Sequence, residues 1–136
     1  MTEDTGVSAQ LRALLPRAHA PYSGVRVACA VESTDGALHF GVNVENAAYP
    51  QGLCAEASAI AAAVTAGAGR LRRVYIAASL PGEVWPCGGC RQKIWEFAEA
   101  GCEVVTFPPQ GEAARQPIET LLPAGFRLDP AAARRS

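Results

Sequence analysis

The sequence predicts an α/β fold, a three-layer α/β/α sandwich built on a central mixed five-stranded sheet. In the first third of the chain, apolar and polar residues alternate in two segments joined by Asp35 and Gly36, which is typical of a β-hairpin. In the rest of the chain, short apolar segments alternate with stretches of helical spacing. Strands that alternate with helices favour a sheet covered by helices on both faces.

The first helix and the hairpin follow from residue spacing. Apolar residues at helical spacing predict a helix over about residues 5–19, which Pro21 ends. Alternation then predicts two strands, over about residues 25–32 and 38–44, with a turn between them. These three elements account for the N-terminal third of the chain.

Two strand-and-helix units are predicted in the remainder. An Ala-rich stretch predicts a helix over residues 54–68, and a second helix is expected over residues 87–100. The apolar segment at residues 74–78 has the composition of a strand buried on both faces. Further strands are expected at residues 102–107 and, as a short fifth strand, at residues 115–118.

Length and composition limit the class of protein. A chain of 136 residues is one domain by its length, so we expect a single domain over residues 1–136, with residues 1–4 and 130–136 as loose ends. The net charge of −1 gives no general attraction to nucleic acid or to an anionic membrane. No apolar run approaches the roughly 18 residues that span a bilayer, and the acidic N-terminus lacks a signal-peptide pattern. Because the cysteine count is five, an odd number, we expect thiols in a reducing cytoplasm.

Three cysteines and one glutamate form the most specific chemical pattern in the chain. Cys87 and Cys90 can reach one ion from a turn that enters a helix, and Cys54 joins them from another element. Catalytic zinc sites usually have three protein ligands and leave the fourth position to water. Glu56 follows Cys54 too closely to be an easy fourth ligand, but it can reach such a water as a general acid and base. The pattern predicts one open Zn²⁺ site per chain with Glu56 beside it.

The spacing of these residues resembles the signature of the zinc deaminases, which is His or Cys, one residue and Glu, then Pro-Cys-x-x-Cys. The matching stretches are Cys54-Ala55-Glu56 and Pro86-Cys87-Gly88-Gly89-Cys90. Two flanking stretches, Asn43-Val44-Glu45-Asn46-Ala47-Ala48-Tyr49 and Arg91-Gln92, narrow the resemblance to the small homotetrameric cytidine deaminases. The resemblance covers about residues 22–126 and implies the cytidine deaminase fold. The implied reaction converts cytidine and deoxycytidine to uridine and deoxyuridine plus ammonia, as part of pyrimidine salvage.

The resemblance also implies roles for residues around the metal. Asn43 and Glu45 would bind the ribose 3′-hydroxyl, which suits an amide beside a carboxylate, although residue type alone, without the nearby metal ligand, favours a solvated strand edge. The backbone amide of Ala55 would hold the pyrimidine O2. The residues that would contact a nucleoside in a neighbouring subunit are Ala47, Tyr49 and Phe126. The first two would meet the 5′-hydroxyl and the third would pack on the base, so the resemblance implies a homotetramer with shared active sites.

Two positions depart from the pattern of the family. An Arg commonly follows the catalytic Glu and donates to a ligand sulfur, but Ala57 stands here. Since three thiolates leave a zinc site with a net charge of about −1, we expect Arg91, which follows Cys90, to supply a compensating positive charge. Val25 stands where relatives usually carry Phe, which predicts room for a larger or modified pyrimidine unless Trp85 fills it.

Two other functions are compatible with the same residues. A deaminase of this fold could act on a modified cytosine nucleoside or a nucleoside antibiotic, although the stretch Asn43-Val44-Glu45-Asn46 favours an ordinary nucleoside. The cysteines could instead form a structural zinc site in a binding module, but such a site is closed by a fourth Cys or His. The remaining cysteines and histidines lie on other elements at unsuitable spacings. Zinc content, measured together with ammonia release from cytidine, distinguishes an enzyme from a binding module.

Overall fold

The computed structural model describes residues 2–131, and these residues form the predicted α/β sandwich around a mixed sheet. The strands are β1 (Val27–Ser33), β2 (Leu38–Val42), β3 (Leu71–Ala78), β4 (Ala98–Phe107) and β5 (Ala114–Pro117). The helices are α1 (Thr2–Leu14), α2 (Ala55–Thr65), α3 (Gly88–Phe97) and the short α4 (Ile118–Leu121). The strand order is β2-β1-β3-β4-β5, in which β3 and β4 are parallel and the other neighbours are antiparallel. No helix within this part of the chain is long and apolar enough to cross a membrane.

Each face of the sheet carries its own apolar core. On one face, α1 packs through Val7 and Leu11 against a cluster that includes Tyr75 and Phe107, whose rings stack with their centroids 5.9 Å apart. On the other face, α2, α3 and α4 cover a second cluster of buried residues. The members of this second cluster that the sheet contributes include Cys29, Val31, Val74, Ile76 and Val104. Helices α2 and α3 therefore lie side by side on one face of the sheet.

Helix α2 lies directly on strand β2 at Gly41. A Cβ atom added to Gly41 would lie 2.3 Å from the backbone nitrogen of Ala59 and 2.8 Å from the carbonyl oxygen of Ala55. Only a residue without a side chain allows the two backbones to approach so closely. Gly41 thus sets the distance between the sheet and the helix.

The helices differ in length from the sequence prediction. Helix α1 ends at Leu14 and is followed by one 3₁₀ turn, because Pro16 has no N–H group to continue the α-helical hydrogen bonding. Residues 2–4 lie in the first turn of α1, whereas residues 1 and 132–136, also predicted as loose ends, lie outside the described part.

Helix α3 ends at Phe97, three residues earlier than expected, and the chain continues directly into β4. Arg127 lies across this junction and donates hydrogen bonds to the carbonyl oxygens of Trp95 and Ala98. Its guanidinium also stacks on the Trp95 ring, 3.9 Å from the centroid. Carbonyl groups in the last turn of a helix need such partners from outside the helix.

Candidate active site

The predicted metal ligands lie at the beginnings of α2 and α3. Cys54 and Cys87 are the N-cap residues of the two helices, with extended backbones, and Cys90 lies in the first turn of α3. The first N–H groups of a helix have no intrahelical acceptor, and the helix dipole is positive at this end. Two helix ends therefore direct partial positive charge at the three sulfurs, which favours the thiolate form.

The three sulfur atoms are close enough together to bind one ion. The Sγ atoms of Cys54, Cys87 and Cys90 all lie within 4.8 Å of one another. In a tetrahedral site with Zn–S distances of about 2.3 Å, the sulfurs are roughly 3.8 Å apart, so only a small closure is needed. Among the side chains that the structure describes, those of residues 4–131, no other Cys, His, Asp or Glu ligand atom joins this group. The donor set fits an open, three-cysteine zinc site and not a closed structural one.

The thiols of Cys54 and Cys90 lie among other acidic groups, whose negative charges oppose their ionisation. A hydrogen bond from the backbone N–H of Cys90 lowers the pKa of the Cys87 thiol. Burial raises the pKa of Cys54, and burial together with the nearby charge of Glu56 raises that of Cys90 far above its usual value. A divalent cation would offset this repulsion, because metal binding takes the place of the thiol protons.

Glu56 lies in the first turn of α2 and is only 5 % exposed. Burial raises the pKa of its carboxyl group, which makes the carboxylate a stronger proton acceptor than an exposed glutamate. Glu56 and the ligands Cys54 and Cys87 line one cavity, and its volume of about 480 Å³ is typical of a small-molecule site. Val25 and Trp85 both contribute to the walls of this cavity.

Asn43 forms another part of the cavity wall, and its side chain is fixed by the end of the sheet. Its Oδ1 accepts a hydrogen bond from the Val27 N–H and its Nδ2 donates to the Val25 carbonyl, both at 2.8 Å. The side chain thus takes the place of a strand partner, and β2 ends at Val42, two residues earlier than predicted. One N–H of the Asn43 amide is left for another acceptor.

Glu45 lies beside Asn43 in the cavity and is held by the loop before β1. Its carboxylate accepts hydrogen bonds from the backbone N–H groups of Tyr22 and Ser23 and from the Ser23 hydroxyl. The hydrogen bond from the Ser23 hydroxyl is the largest of the effects that lower the pKa of Glu45. Ser23 was not among the predicted site residues, and the long-range contact that gives it a role has no signal in the sequence.

A backbone bridge joins the cavity wall to the first metal ligand. Val44, between the two wall residues, exchanges two hydrogen bonds with Leu53, at 2.9 and 2.8 Å. Leu53 directly precedes Cys54, so the segment that holds Asn43 and Glu45 is coupled to the metal site through one pair of backbone hydrogen bonds.

The residues predicted to contact a neighbouring subunit lie on the surface. The Tyr49 side chain is 75 % exposed and its ring lies edge-to-face with Tyr22, while Phe126 is 65 % exposed. Of these surface residues, Ala47 and Phe126 are not among the residues that line the cavity, whereas Tyr49 is at its edge. The Phe126 backbone is fixed by a hydrogen bond from Gln92 Nε2 to its carbonyl oxygen.

Arg91 is directed at two backbone carbonyl groups. Its Nε donates to the Pro86 oxygen at 2.7 Å, and its Nη1 donates to the Leu121 oxygen at 2.9 Å. These bonds hold the residue before Cys87 against α4. The predicted role of Arg91 as a charge partner of the sulfurs stays a prediction.

Comparison with known proteins agrees with this geometry. Residues 1–106 match the family model described as the cytidine and deoxycytidylate deaminase zinc-binding region. A cytidine deaminase from Sporosarcina psychrophila is 36 % identical over 110 residues, which is 81 % of each chain. The crystal structure of cytidine deaminase from Burkholderia pseudomallei aligns with a TM-score of 0.81 at 34 % identity, over 87 % of this chain and 94 % of that one. The structure of cytidine deaminase from Mycobacterium leprae aligns with a TM-score of 0.74 at 39 % identity, over 85 % and 92 % of the two chains.

Proposed function

Because this chain belongs to the family of cytidine and deoxycytidylate deaminases, we propose that it hydrolyses cytidine and deoxycytidine to uridine and deoxyuridine, releasing ammonia. The observation that carries this proposal is the placement of Glu56 beside three clustered cysteine sulfurs in a cavity of nucleoside size. The reaction is one of pyrimidine salvage.

The three cysteines would hold zinc, which would supply Lewis-acid activation of the attacking water. Glu56 accepts one proton from the attacking water and delivers it to N3 of the cytosine ring while the C4–O bond forms. Glu56 then takes the proton of the new C4 hydroxyl group and passes it to the exocyclic amine. The C4–N bond breaks, ammonia leaves and the uracil carbonyl remains. One buried carboxylate can serve both transfers because it alternates between acid and base.

The nucleoside is oriented by groups that the fold holds in place. Ala55 is the first residue of α2, so its N–H has no intrahelical acceptor and is free to donate to the pyrimidine O2. Asn43 keeps one amide N–H for the 3′-hydroxyl of the sugar, and Glu45 can accept from the same hydroxyl. Both side chains are held by hydrogen bonds before substrate binds, which lowers the entropy lost on binding.

The complete pocket is formed in a homotetramer in which neighbouring subunits contribute Ala47, Tyr49 and Phe126 to each site. The exposure of the two aromatic rings supports this assembly, because large exposed apolar side chains often mark protein interfaces. Free thiols at every described cysteine support a reducing compartment, and we place the protein in the cytoplasm.

The chemistry is tested by measuring zinc content and the ultraviolet absorbance change with cytidine, deoxycytidine, cytosine, adenosine and blasticidin S. Glu56→Gln should lose at least roughly 10²-fold in kcat, the lower end of the range for one general acid–base role, and should keep one zinc per chain. Glu112→Gln, on an exposed loop, is the matched control and should keep full activity. A wild-type protein that holds no zinc, or that releases no ammonia from cytidine, would contradict the proposal.

The shared pocket is tested by mixing two inactive variants. Glu56→Gln removes the proton carrier and Phe126→Ala removes the ring expected to come from the neighbouring subunit. If each site uses both residues from different subunits, dissociation and reassembly of the two variants restores part of the activity. No recovery from a mixed tetramer, or a monomer in light scattering, would refute the shared site.

A further inference from the structure

The Glu45 carboxylate accepts three hydrogen bonds from the loop that precedes β1. Its Oε1 atom accepts from the backbone N–H groups of Tyr22 and Ser23, at 3.0 and 3.1 Å. Its Oε2 atom accepts from the Ser23 hydroxyl. A carboxylate offers about four acceptor positions, two on each oxygen. Among the described residues, these donors therefore leave one position open, on the oxygen that the Ser23 hydroxyl contacts.

The Ser23 hydroxyl is itself oriented by the backbone of the loop. Its Oγ accepts a hydrogen bond from the Val25 N–H at 3.0 Å, which leaves the hydroxyl proton to be donated to Glu45. Gly24 turns the chain between Ser23 and Val25 with a φ of 73°, a conformation that glycine adopts without steric cost. The turn thus brings the Val25 N–H to the Ser23 Oγ and fixes the direction in which this hydroxyl donates.

The same loop also holds the Asn43 side chain. The Val25 carbonyl oxygen accepts a hydrogen bond from Asn43 Nδ2 at 2.8 Å. Hydrogen bonds therefore run from Glu45 through Ser23 and Val25 to Asn43, and all four residues line the cavity that contains Glu56. The two side chains that the proposed function assigns to the sugar are held relative to each other through Ser23.

We propose that Ser23 is a positioning residue for sugar recognition, a role that rests on the proposed function. Its hydroxyl fixes the second oxygen of Glu45, so that the open acceptor position faces the 3′-hydroxyl of the nucleoside. The two backbone N–H groups hold only Oε1, and the carboxylate can turn about that atom. Without the Ser23 hydroxyl, ordering Oε2 would have to accompany binding, and this cost would lower the affinity for the nucleoside.

The expected effect lies in substrate binding and not in the chemical step. Because Ser23 is exposed and one hydrogen bond makes a modest net contribution, we expect Ser23→Ala to raise KM about three- to tenfold. We expect kcat to change by less than about twofold, since the contact with the sugar is present equally in the ground state and in the transition state.

The test compares kcat and KM for cytidine, 2′-deoxycytidine and 3′-deoxycytidine. Ser23→Ala should raise KM for the first two substrates, which carry the 3′-hydroxyl, and should leave KM for 3′-deoxycytidine unchanged. Ser23→Thr keeps the hydroxyl and should behave like the wild type. Ser8→Ala, in α1 on the other face of the sheet, is the matched control and should change neither constant.

Calorimetry with uridine and 3′-deoxyuridine measures the same contact without turnover. Ser23→Ala should weaken uridine binding about three- to tenfold and leave 3′-deoxyuridine binding unchanged. The proposal is overturned if Ser23→Ala binds uridine like the wild type, if the loss is the same with and without the 3′-hydroxyl, or if Ser23→Thr is as weak as Ser23→Ala. A wild-type protein that binds uridine but releases no ammonia from cytidine would instead contradict the proposed function alone.

Discussion

Gly41→Ala is the sharpest test of how the sheet positions the active site. The new methyl group would lie 2.3 Å from the Ala59 nitrogen, 2.7 Å from the Ser58 Cβ and 2.8 Å from the Ala55 oxygen. Two of these atoms belong to the backbone of α2, so no side-chain rotation relieves the overlap. The helix has to move by roughly 1 Å to restore ordinary contact distances.

Overpacking of this kind lowers the free energy of unfolding by about 3 kcal/mol when the backbone has to shift. In a domain of this size, the loss lowers the thermal midpoint by roughly 10 °C. Because the first turn of α2 carries Glu56 and follows Cys54, the shift should also accelerate zinc loss and lower kcat.

The assay is thermal unfolding of the zinc-loaded protein together with chelator-monitored zinc release. Gly6→Ala is the matched control, since Gly6 lies in α1 with nothing within 4 Å of an added Cβ. That substitution should stabilise the protein by about 0.5–1 kcal/mol, because Ala favours the helix over Gly. A Gly41→Ala protein that melts within a degree of the wild type and keeps its zinc would refute the close packing of α2 on β2.

Two further predictions concern buried charge and the end of α3. Burial alone would raise the pKa of Glu32, but hydrogen bonds from Arg72 and Arg73 outweigh it and hold the pKa below its usual value. Glu32→Gln should therefore lower the free energy of unfolding by about 2–3 kcal/mol at pH 7, measured by urea unfolding. The cost should shrink as the pH falls below the ordinary glutamate range and through the lowered pKa of the folded protein, because protonation removes the stabilisation from the wild type as well. A cost that does not change between neutral and strongly acidic pH would contradict this. Arg127→Gln removes the contact with the Trp95 ring and two hydrogen bonds at the end of α3. Arg127→Gln should lower the free energy of unfolding by about 1–2 kcal/mol in the same assay. It should also expose Trp95 to solvent, which a red shift in its fluorescence would reveal. An unchanged spectrum and midpoint would count against the contact.

The parts of the fold that local chemistry determines could be predicted from the sequence. The hairpin turn forms at Gly36, whose φ of 90° only glycine adopts readily, and α2 ends before Gly67 for the same reason. The cysteine cluster could be predicted because two intervening residues let Cys87 and Cys90 reach one ion, and the stretch Cys54-Ala55-Glu56 matches the other half of the zinc-deaminase signature.

Most features that could not be predicted from the sequence depend on contacts between residues that are far apart in the chain. The end of α3 is fixed by Arg127, thirty residues further along the chain, and the end of β2 depends on the Asn43 amide bonding to the opposite strand. The early end of α1 has a local cause, Pro16, which the apolar spacing around it obscured. Ser23 holds Glu45 only after the loop before β1 has folded onto β2.

The backbone bridge between Val44 and Leu53 links Cys54 to the stretch that carries Asn43 and Glu45. Under the proposed function, a metal that steadies Cys54 would also steady the groups proposed to bind the sugar, and thermodynamic reciprocity would require the converse. We therefore expect a bound nucleoside to slow the loss of the metal, and the substrate-free protein to lose its metal to a chelator more readily.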